Sequence, residues 1–239
     1  MVADGDVSAL RAAGAFVSMA EPDDEGRLEA ALAEVHTVVH VGGGLASPDP
    51  DRLVADAEVV ASAATGAGVR RLVCLSLPGA DDSAADPLRR AKAAVEARFA
   101  QVPCPSVVVR AGLVDTPWVR DLLVTGGLDA AALEKQVAPV RAGDLIELLV
   151  AFDRARASAP QGHLVVAADG PERLSLAGYL DRVGADRVGR GALRGRRLPD
   201  QATLDRVVEV LAGPWWSDDP TLVDGWAFAE LEPAAPGVG

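Results

Sequence analysis

The sequence contains few of the residue types that build several common kinds of site. In 239 residues it has two cysteines, Cys74 and Cys104, three histidines and a single tyrosine, Tyr179. The cysteines form no CxxC motif, so the chain has neither a disulfide framework nor the ligand spacing of a metal site. No apolar run approaches the roughly 20 residues of a membrane-spanning helix, and the acidic first residues lack a signal-peptide pattern. We therefore expect a soluble, cytoplasmic protein with no membrane partner.

Positive charge is also scarce. Lysine and arginine together number 23 against 35 aspartates and glutamates, a formal net charge of −12, which argues against non-specific binding to nucleic acid. Hydrophobic residues make up 49% of the chain, too many for a disordered protein. A local cluster of basic residues could bind a phosphate, but in so acidic a chain we expect a solvated surface there; the cluster is Arg187, Arg190, Arg194, Arg196 and Arg197.

What the chain does have is an alternation of short apolar runs and helical patterns. The runs are nearly continuous in apolar character, which is typical of strands buried on both faces of a parallel sheet. Candidate strands lie at 15–20, 37–41, 71–77, 106–110 and 162–167. Helical patterns between them cover residues near 24–34, 51–66, 86–101 and 143–157. The order predicts an α/β protein with a parallel sheet and helices on both faces.

The helix predicted at 86–101 has readable ends. Asp86 is suited to the N-cap, and Pro87 to the first helical position, where its missing N–H is not needed. One stripe at helical spacing is expected to face the sheet; it consists of Leu88, Lys92, Val95 and Phe99. Lys92 is unusual in such a stripe. It either extends along the apolar surface to pair with Glu96 or points toward the sheet and a ligand.

The second half is less regular. We predict a short helix at 174–183, a basic strand-like stretch ending at Pro199 and a helix at 201–212. The expected domains are a core, 1–170, and a small C-terminal α/β lobe, 171–239. Four aromatic residues lie within fourteen positions of the tail and either anchor it on the body or form an oligomer interface; they are Trp215, Trp216, Trp226 and Phe228.

The order of the segments resembles a known family, the short-chain dehydrogenases/reductases of the atypical or extended kind. Residues 34–43 are similar to the fourth strand of that family, and residues 68–76 to its fifth strand, which ends at the catalytic serine. Lys92 and Glu96, with the stretch 107–112 after them, look like the K…E…ILRPG pattern of NmrA-like and NAD-dependent epimerase-like members. Weaker similarities continue at 140–145 and 170–172, so the resemblance covers nearly the whole chain.

This resemblance implies a Rossmann-like sheet, NAD or NADP as cofactor, and a set of site residues. Catalytic roles fall on Ser76 and Lys92, and cofactor contacts on Gly42, Gly43, Gly44, Ser76, Lys92 and Arg110. The glycines also fit a tight strand-to-loop turn, and Ser76 a capping hydroxyl. Asp115 and Asp121 flank Trp118 where substrates of the family enter. The three histidines lie in or beside strands, where we expect core or edge positions.

One departure from the family lies in the N-terminal part. Family members open with a strand, a GxxGxxG turn, a helix and a second strand, and the turn holds the cofactor pyrophosphate at a helix N-terminus. This sequence starts near the family's third strand, so we expect an N-terminally truncated Rossmann-like sheet. The missing strands would lie between the third and fourth strands. We therefore expect the run at 15–20 to close the gap beside the run at 37–41.

A second departure concerns the catalytic tyrosine, which precedes the lysine by four residues in the family. That position is Leu88, which cannot relay a proton during hydride transfer. Tyr179 has no spacing argument in its favour. NmrA-like members commonly lack this tyrosine too, and they include redox-sensing regulators as well as reductases.

The functional expectation has two branches. In the first, the chain is an NAD(P)-binding-family protein with a degenerate cofactor and catalytic site and a regulatory or structural role. In the second, it is an NAD(P)-dependent oxidoreductase or epimerase whose Gly-rich segment is missing because the start codon was assigned too late. Expected partners are a dinucleotide or another small molecule and a second copy of the chain, with cofactor binding either residual or lost.

Overall fold

The computed structural model describes residues 7–17, 24–45, 49–125, 128–155, 162–185, 201–217 and 228–231. The strands are β1 (Thr37–His40), β2 (Arg71–Ser76), β3 (Ser106–Ala111), β4 (Val114–Asp115), β5 (Gln136–Val137), β6 (Val140–Arg141), β7 (His163–Ala168) and β8 (Leu174–Ser175). The helices are α1 (Ser8–Ala12), α2 (Glu25–Leu32), α3 (Pro50–Gly66), α4 (Pro87–Ala100), α5 (Pro117–Thr125), α6 (Ala130–Leu133), α7 (Ala142–Arg154), α8 (Leu176–Arg182) and α9 (Gln201–Leu211).

The central sheet is parallel and has the strand order β1-β2-β3-β7. Two-stranded sheets join β4 to β6 in parallel and β5 to β8 in antiparallel orientation. The predicted α/β fold with a parallel central sheet is confirmed. No helix within the described ranges is long and apolar enough to cross a membrane.

Strands β2 and β3 are buried on both faces, which explains the continuous apolar runs in them, whereas Val39 of β1 is 41% exposed. Successive side chains of a strand point to opposite faces. One set packs with α3, α4, α8 and α9 in a first core, which includes Leu72, Cys74, Val95, Phe99, Val108, Tyr179 and Val210. The other set packs with α7 in a second core, which includes Val73, Val107, Val109, Leu145, Leu148 and Phe152.

Helix α4 forms as its sequence predicts. The Asp86 carboxylate accepts a hydrogen bond from the backbone N–H of Arg89 at 2.9 Å, and Pro87 is the first helical residue. The predicted stripe is buried in full; its members Leu88, Lys92, Val95 and Phe99 are at most 4% exposed. The helix therefore presents Lys92 to the sheet and not to solvent.

The strand predicted at 15–20 is wrong for its first half. Residues 15–17 follow α1 without entering a strand, and Phe16 is 94% exposed. An apolar run stays a strand only when the sheet gives it a face to bury against, and these residues have none. Residues 18–20 lie outside the described residues. Within those residues β1 pairs with β2 alone, so the expected pairing of 15–20 with 37–41 is not observed at 15–17.

The C-terminal tail is anchored on the body. Trp215 is 1% exposed and belongs to the first core, and Phe228 packs against the second. Trp216 lies 5.3 Å from the guanidinium of Arg173. The anchoring interpretation is thus confirmed for these aromatic residues. Trp226, the arginine cluster at 187–197 and the strand-like stretch ending at Pro199 lie outside the described residues. The domain division at 170 and the oligomer stay predictions.

Candidate functional site

The candidate site lies at the carboxyl ends of β1, β2 and β3. In open parallel sheets ligands bind at this edge, because the loops that follow the strands converge there. Gly42 follows β1, Ser76 ends β2, and Arg110 lies opposite Ser76 in the register of β3. Helix α4 runs across this edge and adds Lys92 and Glu96. The structure therefore brings together the residues that the sequence singled out.

Lys92 joins the ends of two strands. Its Nζ donates hydrogen bonds to the carbonyl of Gly42 at 2.5 Å and to that of Leu75 at 2.9 Å. The side chain is 3% exposed, and burial lowers the pKa of its ammonium group. Glu96 pairs with Arg110 instead, so the predicted extension toward a Glu96 ion pair is wrong. The ammonium is held inside the protein between two backbone carbonyls.

Ser76, Glu96 and Arg110 form a second buried group beside Lys92. The Ser76 hydroxyl donates to Glu96 Oε1 at 2.5 Å, and Arg110 donates to the same oxygen at 3.1 Å and to Oε2 at 2.6 Å. Arg110 also donates to the carbonyl of Ala80 at 3.0 Å. Ser76 is 1% exposed. Both carboxylate oxygens of Glu96 thus have partners, and each partner belongs to the protein.

The glycine cluster forms a tight turn. Gly43 has a φ of +75°, and a Cβ there would lie 2.4 Å from the Leu53 side chain. A Cβ on Gly42 would lie 2.9 Å from the ring of His40, whereas one on Gly44 meets nothing within 4 Å. The positive φ of Gly43 favours glycine there, and a side chain at position 42 would need the His40 ring to move. The turn interpretation accounts for both.

Leu88, at the position of the family's tyrosine, is covered by the C-terminal helix. The space beside it is a cavity of about 10 Å³, lined by Leu45, Pro50, Pro87, Leu88, Arg206, Glu209 and Val210. That volume holds at most one water molecule. Helix α9 therefore occupies the region that faces Leu88.

His40 and Cys74 lie next to this network. Their Nδ1 and Sγ atoms are 3.9 Å apart, and the His40 ring packs edge-on against Phe99 at 5.2 Å. Burial, with the nearby Lys92 charge, lowers the pKa of His40 to about 4. Burial raises the pKa of Cys74 to about 12. At neutral pH the imidazole is therefore neutral and the thiol protonated, so His40 has no proton to give as an imidazolium acid and Cys74 is not a thiolate nucleophile.

The lowered pKa of His40 predicts a loss of stability in acid. The folded value of about 4 lies below the ordinary 6.5, so the unfolded chain binds more protons between these values and stability falls as pH falls through that window. Between pH 7 and 4.5 the wild type should lose about 2 kcal/mol more unfolding free energy than His40→Gln. Urea unfolding at both pH values measures this. An equal loss in His40→Gln and in the wild type would contradict the prediction.

The single tyrosine has a structural partner far along the chain. Tyr179 is fully buried, and its hydroxyl donates to Asp115 Oδ1 at 2.6 Å. Arg120 donates to both oxygens of Asp115, at 2.7 and 2.6 Å. Burial opposes ionisation of Asp115, but these hydrogen bonds outweigh it and lower its pKa; burial and Asp115 together raise the pKa of Tyr179. The group fastens α8 to β4, and Trp118 beside it is 44% exposed.

Arg89 is a buried residue that the sequence did not single out. It is 1% exposed and donates to Pro78 O at 2.8 Å, Asp86 Oδ2 at 2.7 Å, Val210 O at 2.8 Å and Pro214 O at 2.5 Å. Its guanidinium lies 5.4 Å from the Trp215 ring. The residue fixes α9 and the tail to α4. No sequence signal marks it, because two of its partners lie more than 100 residues away.

The fold is similar to solved structures of NAD(P)-dependent enzymes. Triphenylmethane reductase of Citrobacter sp., complexed with NADP(H), matches with a TM-score of 0.65 and 16% identity over 87% of this chain and 77% of that one. The NADPH-dependent quinone oxidoreductase QOR2 of Escherichia coli matches at 0.64 and 21% over 94% and 83%. The Bordetella bronchiseptica enzyme WbmG, in complex with NAD, matches at 0.54 and 21% over 86% and 74%.

This chain has a Rossmann-type α/β fold. No family model matches the sequence, and no curated protein does. At 16–21% identity the likeness shows the fold alone. Function has to be argued from the site.

Proposed function

We propose that this chain is a Rossmann-fold protein, similar to NmrA-like proteins, whose cofactor and catalytic site is degenerate and whose role in the cytoplasm is regulatory or structural. The observation that carries the proposal is the placement of Lys92, whose buried ammonium is bonded to the carbonyls of Gly42 and Leu75. A lysine that contacts a cofactor ribose needs a free N–H directed into an open cleft. Here two of its three donors join β1 to β2.

The other expected cofactor contacts support the same proposal. Ser76 and Arg110 both bind Glu96, and the turn at Gly42 and Gly43 packs against the chain itself. Each of these groups bonds to or packs against the protein itself, whereas the resemblance would have it contact a dinucleotide. We infer that these residues do not fit NAD or NADP bound in the manner of the family.

The tyrosine that would relay a proton in the family is also absent from this edge of the sheet. Leu88 has no acidic group, and the 10 Å³ cavity beside it leaves no room for a substrate carbonyl next to α9. The Tyr179 hydroxyl donates a hydrogen bond to Asp115, and its raised pKa makes it a poorer acid than an ordinary tyrosine. Among the described residues of this edge, the titratable groups are either paired with other protein groups or buried in their neutral form.

Titration of the purified protein with NADPH and with NADH, followed by calorimetry, tests the proposal. We expect no saturable binding at micromolar cofactor, because Lys92, Ser76 and Arg110 are each bonded to groups of the protein. We also expect no NADPH consumption with a quinone or a triphenylmethane dye, the substrate classes of the two reductases with similar folds. Stoichiometric micromolar binding together with turnover would overturn the proposal.

Lys92→Met separates this proposal from the oxidoreductase or epimerase alternative. A working enzyme of that type would lose turnover in a variant that remains folded. Under the proposal the variant has no turnover to lose, and its effect appears only as a shift in thermal unfolding. Any cofactor-dependent turnover that is present in the wild type and abolished in folded Lys92→Met would favour the alternative.

A further inference from the structure

Strand β1 is an edge of the central sheet. Within the described residues it pairs with β2 alone, and the His36 carbonyl at its start accepts a hydrogen bond from the backbone N–H of Arg71 at 3.1 Å. Successive residues of a strand direct their N–H and C=O groups to alternate sides. Because the His36 carbonyl faces β2, the backbone groups of Thr37, Val39 and Val41 face away from the sheet. Three N–H and three C=O groups therefore line the outer side of β1.

This edge lacks the residues that normally protect an open strand. Exposed edges in natural proteins carry charged side chains or proline, which prevent pairing with another chain. Residues 37–41 contain no proline, and their one titratable side chain is His40, whose pKa of about 4 leaves it neutral. The whole chain has a net charge of −12. An uncharged strand is therefore a place where two copies can approach each other without opposing carboxylates.

The side chains along this edge are apolar and uncovered. Thr37, Val39 and Val41 share the face of the sheet that carries the second core, because Val39 lies in register with Val73 of that core. The core does not extend over them, and Val39 is 41% and Val41 60% exposed. Helix α2, which leads into β1, has no buried residue. This flank of the molecule therefore presents apolar surface that a second chain can bury.

We propose that the outer side of β1 is a dimer interface, at which β1 of one copy pairs with β1 of a second copy in antiparallel orientation. A twofold axis perpendicular to the sheet relates the two strands, and the two four-stranded sheets join into a continuous one. The proposal does not rest on the proposed function, because the pairing uses neither a cofactor contact nor a catalytic group.

A second copy fits this edge because the edge is complementary to itself. With the axis beside Val39, the residue pairs with Val39 of the partner subunit, and Thr37 pairs with the partner subunit's Val41. All the outward backbone groups of residues 37–41 then form inter-strand hydrogen bonds, and no other antiparallel register of these residues uses all of them. The β-branched side chains lie directly opposite one another, which stabilises such pairs.

The oligomeric state of the full chain tests the proposal. With a Kd of about 1 µM, the wild type at about 100 µM should sediment at twice the 24.6 kDa mass of the chain. Val39→Lys places two like charges opposite each other at the axis, so this variant should sediment as a monomer at the same concentration. That result corresponds to a rise in Kd of at least about 100-fold. Because Val39 is partly exposed, the variant should fold, and circular dichroism verifies this.

Val124→Lys is the matched control, because Val124 is 39% exposed and lies on α5, which packs beside β4. This variant should remain a dimer. A wild type that is monomeric at about 100 µM would overturn the proposal. A dimer that persists in folded Val39→Lys, or that is lost equally in Val124→Lys, would overturn it as well.

A disulfide across the axis tests the register without Val39→Lys. Opposed residues of a hydrogen-bonded antiparallel pair have Cα atoms about 5.5 Å apart, a distance that a disulfide spans. Val39→Cys should form a covalent dimer on mild oxidation, in a background with Cys104→Ser because Cys104 is only partly buried. Val124→Cys in the same background should stay monomeric on a non-reducing gel. Absence of the link in Val39→Cys, or an equal yield in Val124→Cys, would contradict the pairing of β1.

Discussion

Arg89→Met is expected to lower the free energy of unfolding by about 3–5 kcal/mol, because removal of one partner from a buried ion pair leaves the other charge uncompensated. Arg89 and Asp86 pair at 2.7 Å, and their side chains are 1% and 5% exposed. Methionine fills a similar length of apolar space but donates no hydrogen bond. The Asp86 carboxylate would keep its bond from the backbone N–H at the start of α4 and lose its only cation.

The loss extends beyond the ion pair. Three carbonyls, of Pro78, Val210 and Pro214, would lose the donor that they share. Trp215 would lose the cation packed 5.4 Å from its ring. A Cβ at position 213 would lie 2.2 Å from the Arg89 guanidinium, and Gly213 leaves this space to the arginine. The backbone of the tail therefore packs closely against Arg89. The tail and α9 should loosen together.

Urea unfolding followed by circular dichroism measures the effect. Arg90→Met is the matched control on the same helix; its guanidinium is exposed and bonds only to Ala84 O and Ala85 O, so we expect a change within about 0.5 kcal/mol. Asp86→Asn with Arg89→Met should cost less than the sum of the single changes, because the two residues interact directly. A loss below about 1 kcal/mol in Arg89→Met would contradict the structural role.

The features that were predicted from the sequence are those that local patterns determine. The strands at 71–77 and 106–110 were recognisable because both of their faces are buried and apolar. The strand at 37–41 was recognisable from its apolar run alone, although Val39 is exposed. Asp86 and Pro87 marked the start of α4 because capping needs only neighbouring residues. The run at 15–20 has the same composition and failed at 15–17, because a strand also needs a partner and a buried face. Whether a run finds such a partner and face depends on the tertiary structure and not on its own sequence.

The sequence predicted which residues lie in the candidate site but not which groups they bond to. Spacing along α4 indicated that Lys92 faces the sheet, and the family resemblance implied that Leu88 stands where those proteins have a tyrosine. The partner of Lys92 is a backbone carbonyl 50 residues away, and that of Tyr179 is a carboxylate 64 residues away. No local pattern encodes such pairs. A motif can therefore identify the residues that lie at a site even where the fold pairs them with other protein groups instead of a ligand.

The network at the carboxyl edge of the sheet gives the second large effect. Arg110→Met should lower the free energy of unfolding by about 2–4 kcal/mol, somewhat less than Arg89→Met, because the Arg110 side chain is 29% exposed and water can partly replace it. Glu96, 8% exposed, would keep only the Ser76 hydroxyl as a partner. Ser76→Ala should cost about 1 kcal/mol, since Glu96 then retains its arginine.

Arg98→Met is the matched control for Arg110→Met, because Arg98 pairs with Glu58 at 2.5 Å on the surface of the same layer, where Glu58 is 55% exposed. Exposed pairs contribute little, so we expect a change below about 1 kcal/mol. If Arg110→Met were as stable as Arg98→Met, the Ser76–Glu96–Arg110 group would not be structural, and its residues would be available for a ligand. A large loss in Arg110→Met with a small one in Arg98→Met would instead show that Ser76, Glu96 and Arg110 hold β2, β3 and α4 together.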